Sequence, residues 1–163
     1  MSESKTPETG DWPFHDDMPP GREARQLERA NTAPFLKLIG ARVEAVRKDW
    51  ARMAIDYRPD LNQPAGIMHG GVHATLVDTA VAQAIVTTIK PGFQMVTIHL
   101  DTKYFKPTAS GTLIAEGTII RKGKRVVHGE VSVTNQKGEL VAQGWCVYAI
   151  VKARPEETAG VAK

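Results

Sequence analysis

From Val72 to Ile89 the chain carries one formally charged side chain, Asp78, in a run of apolar and small residues that opens on His69-Gly70-Gly71. A carboxylate in such surroundings is costly unless it is hydrogen-bonded, ion-paired or protonated. The start of the run offers complementary chemistry. A helix N-terminus has unpaired N–H groups and a partial positive charge, and Gly70 and Gly71 have no side chains to hold a ligand atom away. Such groups suit an oxygen that gains negative charge during a reaction. Asp78 lies seven residues past Gly71, on nearly the same helical face but about 10 Å further along the axis. Productive contacts need roughly 3 Å, so the two groups of one chain cannot serve one carbonyl. Two such helices packed antiparallel about a two-fold axis would set the HGG end of one chain against Asp78 of the other, giving two equivalent sites.

The elements that position these groups follow from periodicity. Apolar positions go almost all the way round the segment from Gly71 to about Thr88, which predicts a helix enclosed by other structure. Gly21–Asn31 reads as a short charged helix and Ala33–Gly40 as a brief apolar turn. "ARVEAVRKDWARMAIDY" gives two strands broken near Lys48-Asp49, a hairpin. After Pro91-Gly92 the pattern alternates with period two. In "MVTIHLDTKYF" this sets Val96, Ile98 and Leu100 on one face and Thr97, His99 and Asp101 on the other. "TLIAEGTII", the turn "RKGKR", "VVHGEVSVTN", with Val127, Val131 and Val133 on one face, and "ELVAQGWCVYAIV" complete a meander. The sum is two strands, one buried helix, then four antiparallel strands, an α+β arrangement in which six strands wrap one helix. One helix cannot cover such a sheet by itself, which predicts at least a dimer.

Length, charge and composition narrow the class. At 163 residues with 42% hydrophobic and 24% charged side chains, one domain with one core is expected. Residues 1–20 read as a flexible tail, 21–151 as the domain, and 152–163 as a second flexible tail. No apolar run reaches the ~18 residues of a membrane span, and the first residues lack a signal-peptide pattern. The lone Cys146 excludes an intramolecular disulfide and suits a reducing cytoplasm; it reads as a small core residue. A net charge of +3 tolerates an anionic ligand without arguing for nucleic acid. His73, His99 and His128 lack the spacing of metal ligands.

The element N-x3-G-x2-HGG-x6-D-T-A, followed by "VTIHLDTKYFKP" and "RKGKR", resembles the hotdog-fold acyl-CoA thioesterases of the PaaI type, over roughly Asn31 to Val151. The resemblance implies a six-stranded antiparallel sheet wrapped around one long helix, assembled as a homodimer or homotetramer with sites at the subunit interface. It implies hydrolysis of an aromatic or medium-chain acyl-CoA to free acid and coenzyme A, with no metal or redox cofactor. By the same resemblance Gly70, through its backbone N–H, polarises the thioester carbonyl, with Gly71 beside it. Asp78 is base or nucleophile, Thr97 helps to hold the water, and His69 and Asn62 shape the loop around the thioester. The pattern usually puts two residues between the Asn and the loop glycine; here Gln63-Pro64-Ala65 makes three, so Gln63 competes with Asn62.

Other readings stand beside these. Asp78 could be half of a structural ion pair, His69 a mere cap, and Thr97 a plain β-branched strand residue. Arg121, Lys122 and Lys124 form either a solvated hairpin or a contact for the phosphates of coenzyme A. Val81 and Ile85, with residues of a partner chain, are the expected acyl pocket. A hotdog hydratase or dehydratase would use a catalytic His and an acid in a different pattern. A non-catalytic acyl-CoA-binding protein would keep the fold without turnover.

Overall fold

Apolar residues alternate along six strands and encircle one helix, and the computed structural model, which describes residues 12–153, wraps the first around the second. Helices α1 (Arg22–Thr32) and α2 (Pro34–Ile39) precede strands β1 (Ala41–Arg47) and β2 (Trp50–Asp56). Helix α3 (Gly70–Val86) follows, then β3 (Phe93–Tyr104), β4 (Thr112–Lys122), β5 (Val126–Asn135) and β6 (Leu140–Lys152). The strands form one antiparallel sheet in the order β1-β2-β4-β5-β6-β3. This is the hotdog arrangement.

Three glycines explain how closely the sheet grips α3. A Cβ at Gly117 would lie 2.7 Å from the carbonyl carbon of Ala80, one at Gly129 2.7 Å from Val81 Cγ1, and one at Gly144 2.5 Å from Val77 Cγ1. Each is nearer than a real side-chain carbon can sit, so bare backbone in β4, β5 and β6 admits the helix. Leu76, Val77, Val81 and Ile85 are consequently fully enclosed, together with Val127, Val131 and Val133 of β5.

The two sheet edges differ. Beside β1, Asn31 donates through Nδ2 to the Val43 carbonyl at 3.0 Å and accepts from the Val43 N–H at 2.8 Å, near a bulge between Val43 and Ala45. That edge is blocked. The β3 edge is long and carries exposed Val96, Ile98, Leu100 and Tyr104.

Three sequence expectations are corrected. Residues 12–20, expected in the flexible tail, include a docked strap: Phe14 is 1% exposed and bridges Ile89, while Lys90 N–H donates to the Pro13 carbonyl. At the other end Lys152 belongs to β6 and Ala153 N–H donates to the Gly92 carbonyl. The rest of both expected tails, residues 1–11 and 154–163, lies outside the described residues. The third correction concerns β3. A bulge between Thr97 and His99 interrupts the alternation, so Thr97 pairs with Tyr148 and Leu100 with Cys146. Directly opposed residues share a face, which puts Thr97 and Leu100 together on the helix side and His99 and Asp101 outside with Val96.

Candidate active site

Asp78 sits half-buried on α3, against β3 and β6. Its Oδ1 accepts from Tyr148 OH at 2.6 Å, Thr97 Oγ1 at 2.9 Å and Cys146 Sγ at 3.4 Å. The Tyr148 hydroxyl also lies 2.8 Å from the Asp78 carbonyl. Among the described residues no ion pair involves Asp78, and Oδ2 accepts no hydrogen bond. The within-chain ion pair is therefore not what holds this carboxylate. Neutral donors fix one oxygen and orient the other.

Those donors stay protonated. Burial, reinforced by the neighbouring Asp78 charge, pushes the Cys146 thiol up to about 12. Burial and the bond to Asp78 raise the Tyr148 phenol well above its usual range. Cys146 is thus a weak donor and no thiolate nucleophile.

The start of α3 is built from the loop before it. His69 caps the helix, its Nδ1 accepting from Gly71 N–H at 2.8 Å. That occupies the Gly71 donor and leaves Gly70 N–H without a partner among the described residues. Tyr104 OH donates to the Gly70 carbonyl at 3.2 Å, and its ring would meet a Cβ at Gly70 at 3.2–3.4 Å. His73, one turn in, is 3% exposed and lies 3.4 Å from both the His69 carbonyl and Thr108 Oγ1. Its burial holds the imidazole below its ordinary value. Asn62 pairs with Met68 and donates to Tyr57 OH at 2.8 Å and to the Gly66 carbonyl at 3.2 Å, while its buried Oδ1 has no partner. Gln63 Oε1 accepts from Ala65 N–H at 3.3 Å, inside the loop.

The remaining expected site residues are dispersed. Val81 and Ile85 are 0% exposed beneath the chain's own sheet, so neither lines an open acyl pocket. Lys122 turns inward to Asp49 and Thr88 and over the Phe14 ring, which separates it from exposed Arg121 and Lys124. Sequence reasoning missed Tyr148 and the polar contact of Cys146. Their signal was a thiol and a phenol two residues apart on a period-two strand, on the face that also carries the core residues Ala142 and Ile150. Among the described residues no group of three His, Cys, Asp or Glu side chains could hold a metal ion.

A model of the thioesterase superfamily matches residues 65–142, which include Gly70, Asp78 and Thr97. A protein of Saccharolobus solfataricus named "putative esterase" is 32% identical over 119 residues, 70% of this chain and 77% of that relative. The chain belongs to the thioesterase superfamily. Among other superfamily relatives, the 1,4-dihydroxy-2-naphthoyl-CoA hydrolase of Listeria monocytogenes is 24% identical over 72% of this chain and 89% of its own length. The solved structure of the E. coli PaaI protein from the phenylacetic acid degradation operon shares the fold. Its TM-score is 0.71 at 21% identity, over 80% of this chain and 94% of that one.

Proposed function

We propose that the protein hydrolyses acyl-CoA thioesters to a free acid and coenzyme A, at sites shared by two copies of the chain. The observation that carries this reading is the Asp78 carboxylate, with Oδ1 anchored by Tyr148 and Thr97 and Oδ2 unclaimed by the described residues. Holding one oxygen in place leaves the other available to take a proton from water.

In this mechanism the thioester carbonyl accepts from Gly70 N–H of one copy, at the positive end of α3. Asp78 of the other copy takes a proton from water as the water oxygen adds to the carbonyl carbon. Attack by the carboxylate itself on that carbon is the variant, and hydrolysis of the resulting anhydride completes it. Either way the C–S bond breaks, coenzyme A leaves as thiolate, and Gly70 N–H stabilises the negative oxygen between the two events. A thioester is activated enough for these groups to suffice. His69, Asn62 and Tyr104 position the loop; Arg121 and Lys124 are the cations offered to the phosphates of coenzyme A. The exposed apolar β3 edge supports pairing of two copies along it. A reducing, cytoplasmic setting fits the single buried thiol.

The test is release of thiol from a panel of aromatic and medium-chain acyl-CoAs, followed with a thiol-reactive dye. Steady turnover of at least one ester is expected, and Asp78→Asn should abolish it. Tight binding of acyl-CoA without turnover would favour a non-catalytic binding protein instead.

A further inference from the structure

The His69–Gly70 peptide carries the N–H that the mechanism above aims at the thioester carbonyl, and the groups around it are already paired. Before it, Met68 N–H donates to the Thr108 carbonyl at 2.8 Å and His69 N–H to the Leu61 carbonyl at 2.8 Å. After it, Gly71 N–H is taken by His69 Nδ1, and the Gly70 carbonyl accepts from Tyr104 OH. The oxygen of the peptide itself, the His69 carbonyl, accepts from Val72 N–H at 3.0 Å, and His73 Nδ1 lies 3.4 Å from it. A backbone donor such as Val72 N–H comes with any helix start. The imidazole does not.

His73 is 3% exposed, on a helix whose other buried side chains are all apolar. An apolar side chain would fill that place without the cost of desolvating a ring with two nitrogens. The geometry also fixes where the proton is. Burial lowers the proton affinity of the imidazole, so at neutral pH the ring is uncharged, with one nitrogen donating and the other accepting. A carbonyl only accepts, so Nδ1 carries the proton. Nε2, 3.4 Å from Thr108 Oγ1, then accepts from that hydroxyl. The Tyr104 ring meets the imidazole edge-on, with centroids 5.8 Å apart and planes at 81°. Thr108, 5% exposed, thus grips the turn twice, by its carbonyl on Met68 and by its hydroxyl through His73. A donor on a peptide oxygen draws charge from the nitrogen and makes the N–H at the other end a stronger donor.

We propose that His73 is a positioning residue for the reaction: its Nδ1–H, set by the Thr108 hydroxyl, holds and polarises the His69–Gly70 peptide whose N–H receives the thioester oxygen. The place of the substrate rests on the thioesterase reading above; the hydrogen bond to the His69 carbonyl does not.

The test begins on the unaltered protein. Nitrogen NMR of its histidine rings should show His73 neutral with the proton on Nδ1, and a proton on Nε2 would overturn the proposal whatever the variants do. His73→Asn keeps an N–H donor where Nδ1 stands, and His73→Leu removes it while filling the space. The Gly70 amide proton of the free protein should move upfield in His73→Leu and hold its position in His73→Asn. On an ester that the protein hydrolyses, His73→Leu should lower kcat about tenfold, less than the loss of a whole oxyanion donor. KM should stay within about twofold, because the oxyanion draws on the N–H more than the ester carbonyl does. His73→Asn should recover most of that rate. Equal losses of kcat in the two variants, in step with their melting temperatures, would make His73 a packing residue and overturn the proposal. If turnover is steady and neither kcat nor the Gly70 amide responds to His73→Leu, the proposal fails and the thioesterase reading stands. If the amide follows the expected order while no acyl-CoA is hydrolysed even by the unaltered protein, the thioesterase reading fails and the role of His73 at this peptide stands.

Discussion

At the scale of single residues, the proposed mechanism gives the two oxygens of the Asp78 carboxylate different duties. Tyr148 and Thr97 hydrogen-bond Oδ1, and in that mechanism they act through Asp78 by holding it in place. Tyr148→Phe and Thr97→Val each keep shape and remove a donor. Each should lower kcat by about tenfold, with less change in KM, because the ground-state ester does not touch these hydroxyls. A parallel rise in KM with unchanged kcat would mean they contact substrate instead. The Asp and the glycines were legible in the sequence because a lone charge in an apolar helix and a bare helix start are both conspicuous. Tyr148 was not legible, because its partner is 70 residues away and only the register of β6 against α3 brings them together.

At the scale of elements, period two predicted the strands but not the bulge at Ile98, since an inserted residue leaves no compositional mark. That insertion decides which neighbours Thr97 shares on the helix side. The Pro-rich N-terminus read as a tail, yet Phe14 is packed where Asp49, Thr88 and Lys122 meet. Lys122→Met leaves the half-buried Asp49 without its cation. It should lower stability by about 1–3 kcal/mol, measured by denaturant melts, with KM for acyl-CoA unchanged. A raised KM with normal stability would return Lys122 to the phosphates. The base of α3 makes a second prediction. Buried His73 holds its proton less tightly than in the unfolded chain, so unfolding takes up protons on acidification. Stability should be intact above about pH 6.5 and fall as the pH drops below it toward the lowered folded value. The melting temperature of His73→Gln should lack that acid limb. An unaltered limb would assign it to other groups.

At the scale of the whole molecule, the proposed mechanism needs two copies, because Gly70 and Asp78 are about 12 Å apart along one helix. The blocked β1 edge and the open apolar β3 edge indicate where a second copy would join. Sedimentation should show a dimer or larger at micromolar concentration, and a stable monomer would remove the shared site. The central claim is tested most directly with mixed dimers. Gly70 is the first residue of α3, where proline is well tolerated; it removes the N–H and adds carbon against Tyr104. Gly70→Ala, which places the same Cβ against Tyr104 but keeps the N–H, is the control. Asp78→Asn and Gly70→Pro should each be folded and inactive as homodimers. A heterodimer of the two contains one site with both groups intact. An equal mixture, refolded together, should therefore regain about a quarter of wild-type activity, half the dimers each having one of two sites restored. A mixture in which tagged heterodimers form yet turnover stays at the level of the parents would contradict a site shared between Gly70 and Asp78.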